Sequence, residues 1–173
     1  MSSAPPRSLM GMDLTAIARA TIDANRYMTL GTADADGLPW VSPLWFAAAD
    51  HREFFWVSTA ERRHSRNLAA RPQVSIVIFD STQPVGGAQA VYIAAVAEAL
   101  SGEDADAGIR VFTGRSEAEG LRRWTYEDVA PGERFHLYRA VASEVFVLGP
   151  REDRVPVSPS PFPWSPAAGG GRS

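Results

Sequence analysis

The feature that most constrains this chain is a succession of short β-type segments between residues 27 and 100, separated by clusters of turn formers. Residues 27–32, 53–58 (EFFWVS) and 74–79 (VSIVIF) are rich in β-branched and aromatic side chains, which fit a pleated, half-buried surface. Residues 33–37, Ala-Asp-Ala-Asp-Gly, end in the Asp-Gly pair of a tight turn, so residues 39–48 read as the hairpin partner of 27–32. A polar turn at 49–52 leads into the next strand. Residues 89–100 have divided propensity: their alanines suit a helix, but Val91, Ile93 and Ala95 alternate with Tyr92 and Ala94, and alternation predicts a strand. Residues 135–148 supply one long bent strand or two short ones. Connections this tight suit an antiparallel barrel, because parallel strands need long crossovers. The fold class is therefore mainly β with flanking short helices, and such a barrel often covers its open edges by pairing with a second copy.

Three helices punctuate the strands. Asp13 is placed to cap a helix in which Leu14, Ile17, Ala18, Thr21 and Ile22 form one apolar stripe ending near Asn25. Residues 61–71 form a short helix that Pro72 stops. Residues 103–123, charged and alanine-rich, are expected to be helical in two pieces broken near Gly114. Residues 1–12 read as a loose N-terminus and 13–149 as one domain. Residues 150–173 read as a Pro/Ser/Gly-rich tail that forms no packed element, with Phe162 and Trp164 free to dock on a surface.

Composition removes whole classes of chemistry. All 17 positive residues are arginine, and there is neither lysine nor cysteine. Schiff-base chemistry, a lysine phosphate loop, thiolate catalysis and cysteine-ligated metal are excluded. Redox chemistry in such a chain must come from a borrowed cofactor. A net charge of −3 argues against non-specific nucleic-acid binding. No apolar run approaches the roughly 18 residues of a membrane span, and a cytoplasmic location is the default expectation. His51, His64 and His136 are far apart and form no metal-binding motif, so no metal site is expected. No catalytic residue stands out.

Two segments carry most of the chemistry. The first is residues 58–67, STAERRHSRN, at the end of a strand and the start of a helix. Hydroxyls of Ser58 and Thr59, the guanidinium groups of Arg62, Arg63 and Arg66, and helix-start amides together make a clamp for a phosphate. Counting a protonated His64, four like charges in five residues call for a counter-anion. Ser58 and Glu61 also match a capping box beside solvated arginines, and on spacing alone both readings stay open. The second segment is residues 37–46, GLPWVSPLWF. Pro43 marks an edge or bulge, and the exposed backbone there suits a planar heterocycle with Trp45 as an apolar wall. Patterning alone favours the core for its tryptophans.

Taken in order, these residues resemble a known family. Arg26-Tyr27-Met28-Thr29-Leu30-Gly31-Thr32, Asp34-x-Asp36-Gly37-x-Pro39 and Ser42-Pro43-Leu44-Trp45-Phe46 look like the opening of pyridoxamine 5′-phosphate oxidase-like flavoproteins. Phe54-Phe55-Trp56-Val57-Ser58-Thr59, the basic Ser-Arg-Asn-Leu helix at 65–68, Arg71-Pro72-Gln73-Val74-Ser75 and Ala97-Glu98 continue the series. Leu137-Tyr138-Arg139-Ala140 is similar to the last barrel strand of actinobacterial members. The resemblance implies a split β-barrel, a homodimer, and FMN at the subunit interface. It implies that Ser58, Thr59, Arg63, His64 and Arg66 grip the phosphate, that the flavin ring lies along Ser42, Pro43, Leu44 and Trp45, and that Gln89 reaches the flavin. It also implies an oxidoreductase acting on a small molecule, with a nicotinamide donor as a possible electron source. Deazaflavin-dependent reductases and non-catalytic flavin or haem carriers or sensors belong to the same superfamily. Two departures argue against vitamin B6 oxidation: His64 stands at the usual lysine position, and a proline-rich stretch replaces the C-terminal Arg-x-His segment.

Overall fold

The computed structural model describes residues 13–87, 89–149 and 153–157. Eleven elements follow one another: α1 (Leu14–Ala24), β1 (Tyr27–Ala33), β2 (Pro39–Trp45), β3 (Ala47–Ala49), β4 (Glu53–Thr59), α2 (Arg63–Ala70), β5 (Gln73–Phe79), β6 (Ala90–Ala99), α3 (Gly102–Ala118), β7 (Phe135–Leu148) and β8 (Arg154–Pro156). A 3-10 turn at Tyr126–Val129 precedes β7.

All strand pairings are antiparallel, in the order β2-β1-β5-β6-β7-β4-β3, with β8 added to β7. Only Phe46 separates β2 from β3, yet the two strands lie at opposite ends of this order. The sheet must therefore curl until its edges meet, which makes it an antiparallel split barrel. The stretch 39–48 is thus the partner of β1 only as far as Trp45; its last residues cross to pair with β4. Pro43 sits on β2, a strand at the end of the path, where a missing N–H does no harm.

Alternation along the strands sends one set of side chains inward. Met28, Leu30, Phe46, Phe54, Trp56, Ile76, Ile78, Val91, Ile93 and Val147 form the barrel core. Trp56 is fully buried and stacks on Tyr138 at 5.5 Å. Residues 90–99 are a strand because both edges are paired, with β5 and with β7, and those ladders override the helical preference of alanine. β7 is one continuous strand. Ser143 is an extra residue in it, between the pairs Ala94–Glu144 and Ala95–Ala142, and its hydroxyl donates to the Ala94 carbonyl at 3.0 Å. That bulge supplies the expected bend.

A second core lies on the outer face of β3, β4 and the start of β7, where Phe55, Ala47 and Leu137 meet Ala105, Ile109 and Phe112 of α3. The expected break near Gly114 does not occur. Ala105, Gly108, Ile109, Phe112, Thr113 and Ser116 are buried at three- and four-residue spacing, and this packing carries the helix through Gly114 to Ala118. Residues 121–125 are not helical, and the 3-10 turn is held by a capping box between Thr125 and Asp128. Residues 154–156 correct another expectation. They form β8 on the end of β7, and Val155 and Val157 pack against the barrel core. The aromatic residues noted at 162 and 164 lie outside the described residues, as does the 1–12 segment.

α3 approaches the sheet closely at Gly108, where a Cβ would lie 2.8 Å from Phe55 Cε1 and 3.0 Å from Leu137 Cδ2. At Gly114 on the same helix a Cβ would meet nothing within 4 Å. Gly108→Val is expected to destabilise the fold by about 1–3 kcal/mol through overpacking. Gly114→Ala should instead stabilise it by up to about 1 kcal/mol through helix propensity. Denaturant midpoints of the two variants check this contrast.

Candidate functional site

The site lies where the end of β1, the start of β2, the end of β4 and the start of β7 meet α2. α2 is too short to be stable by itself and must be held by tertiary contacts. Leu68 is its buried apolar anchor, whereas His64, Ser65 and Asn67 are buried polar residues turned toward the barrel. A buried polar group needs a partner, and strand residues provide one for His64 and Asn67. Asn67 Nδ2 donates to Thr32 Oγ1 at 3.0 Å, and Thr32 Oγ1 donates to the Trp40 carbonyl at 3.3 Å. The His64 ring lies between two hydroxyls, with Nε2 2.8 Å from Ser58 Oγ and Nδ1 3.2 Å from Ser42 Oγ. Ser65 Oγ is buried without a hydrogen-bond partner among the described residues, and burial pushes up the pKa of Tyr138 near it.

The outward side of the same helix is cationic. The Arg63 guanidinium lies 4.5 Å from the centre of the Trp40 ring and 4.0 Å from the Asp34 carboxylate. Arg66 donates to the Glu61 carbonyl, and Arg71 donates to the Ala35 carbonyl at 2.8 Å. Asp34 in turn accepts from the amides of Asp36 and Leu38, which fixes the β1–β2 turn against α2. The Glu61 carboxyl is held below its ordinary range, first by a hydrogen bond from Thr59, then by its own amide and by Arg134 and His136.

These contacts decide several points that spacing left open. The N-cap of α2 is Arg62, with no side-chain cap, so the Ser58–Glu61 capping box is not formed and Ser58 is committed to His64 instead. Burial, followed by the charge of Arg62, lowers the pKa of His64, so the ring is neutral at pH 7. The run of four like charges is therefore three arginines, with Glu61 beside them. Trp40 is 42% exposed under Arg63 and is not a core residue.

Of the residues expected to bind a cofactor, Ser42, Ser58, Thr59, Arg63, His64 and Arg66 converge here. Pro43 is exposed on β2, and Leu44 packs partly against the barrel core. Trp45 points away toward α3, edge-on to Phe112 at 4.8 Å, with its indole N–H donating to Glu119 at 3.3 Å. Gln89 lies at the far end of the sheet, since neighbouring Ala90 pairs with Phe79 while α2 leads into the opposite end of β5. A strand of that length spans about 20 Å, so one chain does not bring Gln89 to α2. Its Oε1 is buried with no hydrogen-bond partner among the described residues. Thr32, Ser65, Asn67, Tyr138 and His136 also lie at the site, although the sequence did not assign them a binding role. His136 is the cross-strand neighbour of Ser58 at the barrel mouth. The available signal was the face of residues 61–71 left over after the arginines are assigned outward, on which His64 and Leu68 stand at i, i+4.

The sequence model described as pyridoxamine 5′-phosphate oxidase matches residues 14–147, which covers the barrel and this site. The chain belongs to that family. No curated protein matches the sequence. Among solved structures, the family chain is similar to a haem-binding protein from Mycobacterium smegmatis, with 19% identity and a TM-score of 0.67 over 89% of this chain and 59% of that one. It therefore spans less than two thirds of that relative. It is also similar to the haem storage protein of Vibrio cholerae, with 24% identity and a TM-score of 0.62 over 79% of this chain and 95% of that one. An FAD-binding protein from Mesorhizobium loti matches with 20% identity and a TM-score of 0.56 over 77% of this chain and 90% of that one. At these identities the likeness establishes the fold. Among the described residues, no group of His, Asp and Glu is arranged to hold a metal ion, and no helix is long and apolar enough to cross a membrane.

The buried neutral His64 makes stability depend on pH. Its folded pKa lies below the unfolded value near 6.5, so at lower pH the unfolded chain binds more protons than the folded one. The contribution is fully present above about pH 6.5 and declines as the pH falls below it. The urea midpoint is expected to fall more between about pH 7 and pH 5 in the wild type than in His64→Gln. Equal slopes in the two proteins would contradict a buried neutral imidazole.

Proposed function

We propose that this chain is an FMN-binding oxidoreductase whose flavin phosphate is held at the start of α2. The observation that carries the proposal is the convergence of Ser58, Thr59 and the arginines of α2 at one barrel mouth. Forked guanidinium groups and hydroxyl donors there match the chemistry of a phosphate monoester. The residues present fit the group without a lysine, because Arg63 and Arg66 supply the charge that a lysine otherwise provides. Bound FMN would supply the hydride chemistry for a small organic substrate, with a nicotinamide as the candidate electron donor. The chain's own part is to anchor the phosphate, to offer the β2 backbone around Pro43 to the ring, and to shield the site from water. His64 at the usual lysine position supports a substrate other than a B6 vitamer. The Leu137–Ala140 strand supports a place in the actinobacterial branch.

A homodimer belongs to the same reading. The outward face of β1, β2, β5, β6 and β7 carries Tyr27, Val41, Phe79, Val96 and Val141, all exposed in the single chain. Val96 and Val141 are cross-strand neighbours, and exposed apolar side chains set side by side on a sheet are of the kind an interface covers. Gln89, at the far end of the sheet from α2 within one chain, would meet a bound flavin only across such an interface. Val96→Arg is expected to shift the protein from dimer to monomer, as read by light scattering after size exclusion. A wild-type monomer would remove the dimer from the reading.

A haem-binding role is the second reading, and His136 is the residue that favours it. It lies half-buried at the mouth, and its ring nitrogens make no hydrogen bond among the described residues, whereas those of His64 are both engaged. Titration of the purified protein with FMN and with haemin separates the two, together with mass spectrometry of any cofactor carried through purification. The FMN reading expects saturable quenching of flavin fluorescence and an affinity that Arg66→Ala lowers by about tenfold or more, the loss of one charge-assisted hydrogen bond. A Soret band lost in His136→Ala, with no response to FMN, would establish the haem reading instead.

A further inference from the structure

We propose that His64 is the positioning residue of the anion site, holding Ser42 and Ser58 in one hydroxyl–imidazole–hydroxyl chain whose direction decides which serine can donate to a bound phosphate. This inference rests on the reading of α2 as the phosphate site and specifies how that site is set.

A neutral imidazole has one N–H and one lone pair. With Ser58 on Nε2 and Ser42 on Nδ1, the chain can run in only two directions. In one, Nε2–H donates to Ser58 and the Ser42 hydroxyl donates to Nδ1. The Ser58 O–H is then unused and can donate to an acceptor outside the chain. In the other, Nδ1–H donates to Ser42 and the Ser58 O–H is spent on Nε2, which leaves Ser58 only lone pairs to offer and makes it repel an anion.

The position of the two serines selects between them. Ser58 is the last residue but one of β4, followed by Thr59 and the short link into α2, whereas Ser42 lies in the middle of β2, away from that link. An anion held by α2 meets Ser58, so it selects the Nε2–H tautomer. Ser42 thereby contributes to a phosphate it does not touch, through the hydrogen bond it donates to His64. The surroundings keep the ring neutral: it is buried and Arg62 bears on it, while the nearby Glu61 carboxylate acts on Tyr138 and His136 of β7 and is not among the groups that shift His64. An imidazolium would donate at both ends and erase the direction. A lysine at this position would act as a point charge. Here the charge is left to the arginines, and position 64 orients hydroxyls.

Nitrogen-15 NMR of the full chain tests this directly, because only His51, His64 and His136 contribute ring signals. Spectra are recorded near neutral pH without additive, with inorganic phosphate, and with FMN. The expected result is a His64 ring locked as Nε2–H when phosphate or FMN is present. Ser42→Ala should weaken FMN binding by roughly fivefold, the worth of one ordinary hydrogen bond. The same substitution should have little further effect in a His64→Gln background, where the chain is already cut. FMN binding with an Nδ1–H or averaging ring, or with fully additive losses in the double variant, overturns the relay and leaves the flavin reading standing. Phosphate that locks the tautomer without any FMN binding sustains the relay and removes the flavin reading. Binding of neither ligand overturns both.

Discussion

The run from Pro39 to Ala49 is the constraint on which the rest depends. It pairs with β1 along its first seven residues and with β4 along its last three, with Phe46 between them. Because one continuous stretch occupies both ends of the sheet, the sheet cannot stay open. Phe46 is fully buried in the barrel, so the turning point is fixed by apolar burial as well as by covalent connection. Closing the sheet brings the ends of β1 and β4 and the start of β2 to one mouth, and α2 is the element that fills it.

How α2 fills that mouth links fold to chemistry. A short helix with one buried leucine has little hydrophobic reason to dock. It is held instead by hydrogen bonds of Asn67 to Thr32 and of His64 to Ser42 and Ser58, and by Arg63 and Arg71 on the β1–β2 turn. Together these contacts tie the helix to β1, β2, β4 and the β1–β2 turn. The contacts that position the helix also set the hydroxyl groups of the candidate anion site, so stability and binding chemistry share residues here. α3 is docked differently, through an apolar stripe and the close approach at Gly108. It thickens the outer face of the sheet without contributing to the mouth.

Legibility in the sequence followed locality. The strands at 27–32, 53–58 and 74–79 were readable because alternation and β-branched residues act within a few positions. The Asp13 cap was readable for the same reason: its carboxylate accepts from the amides of Thr15 and Ala16. The break of 39–48 at Phe46 was not, since nothing in Leu-Trp-Phe-Ala distinguishes a strand that continues from one that changes partner. Gly114 misled because glycine propensity is a small local cost, overridden by the buried residues on either side of it. Residues 154–156 misled because proline-rich composition says nothing about a free edge on β7 waiting for three more residues.

At the site, the residue types were legible and their arrangement was not. By itself the sequence determined that the chain has arginine and hydroxyl donors at a strand–helix junction, no lysine or thiol, and the ordered motifs of its family. These are facts of composition and order. The tertiary structure decided that His64 is neutral, because protonation depends on burial and neighbours. It decided that Ser42 lies against His64, because a separation of 22 residues closes only when β2 and β4 meet in the barrel. It also placed Trp45 in the α3 core and Gln89 at the other end of the sheet. Distance along the chain carries no information about which end of a strand a side chain will face across a closed sheet.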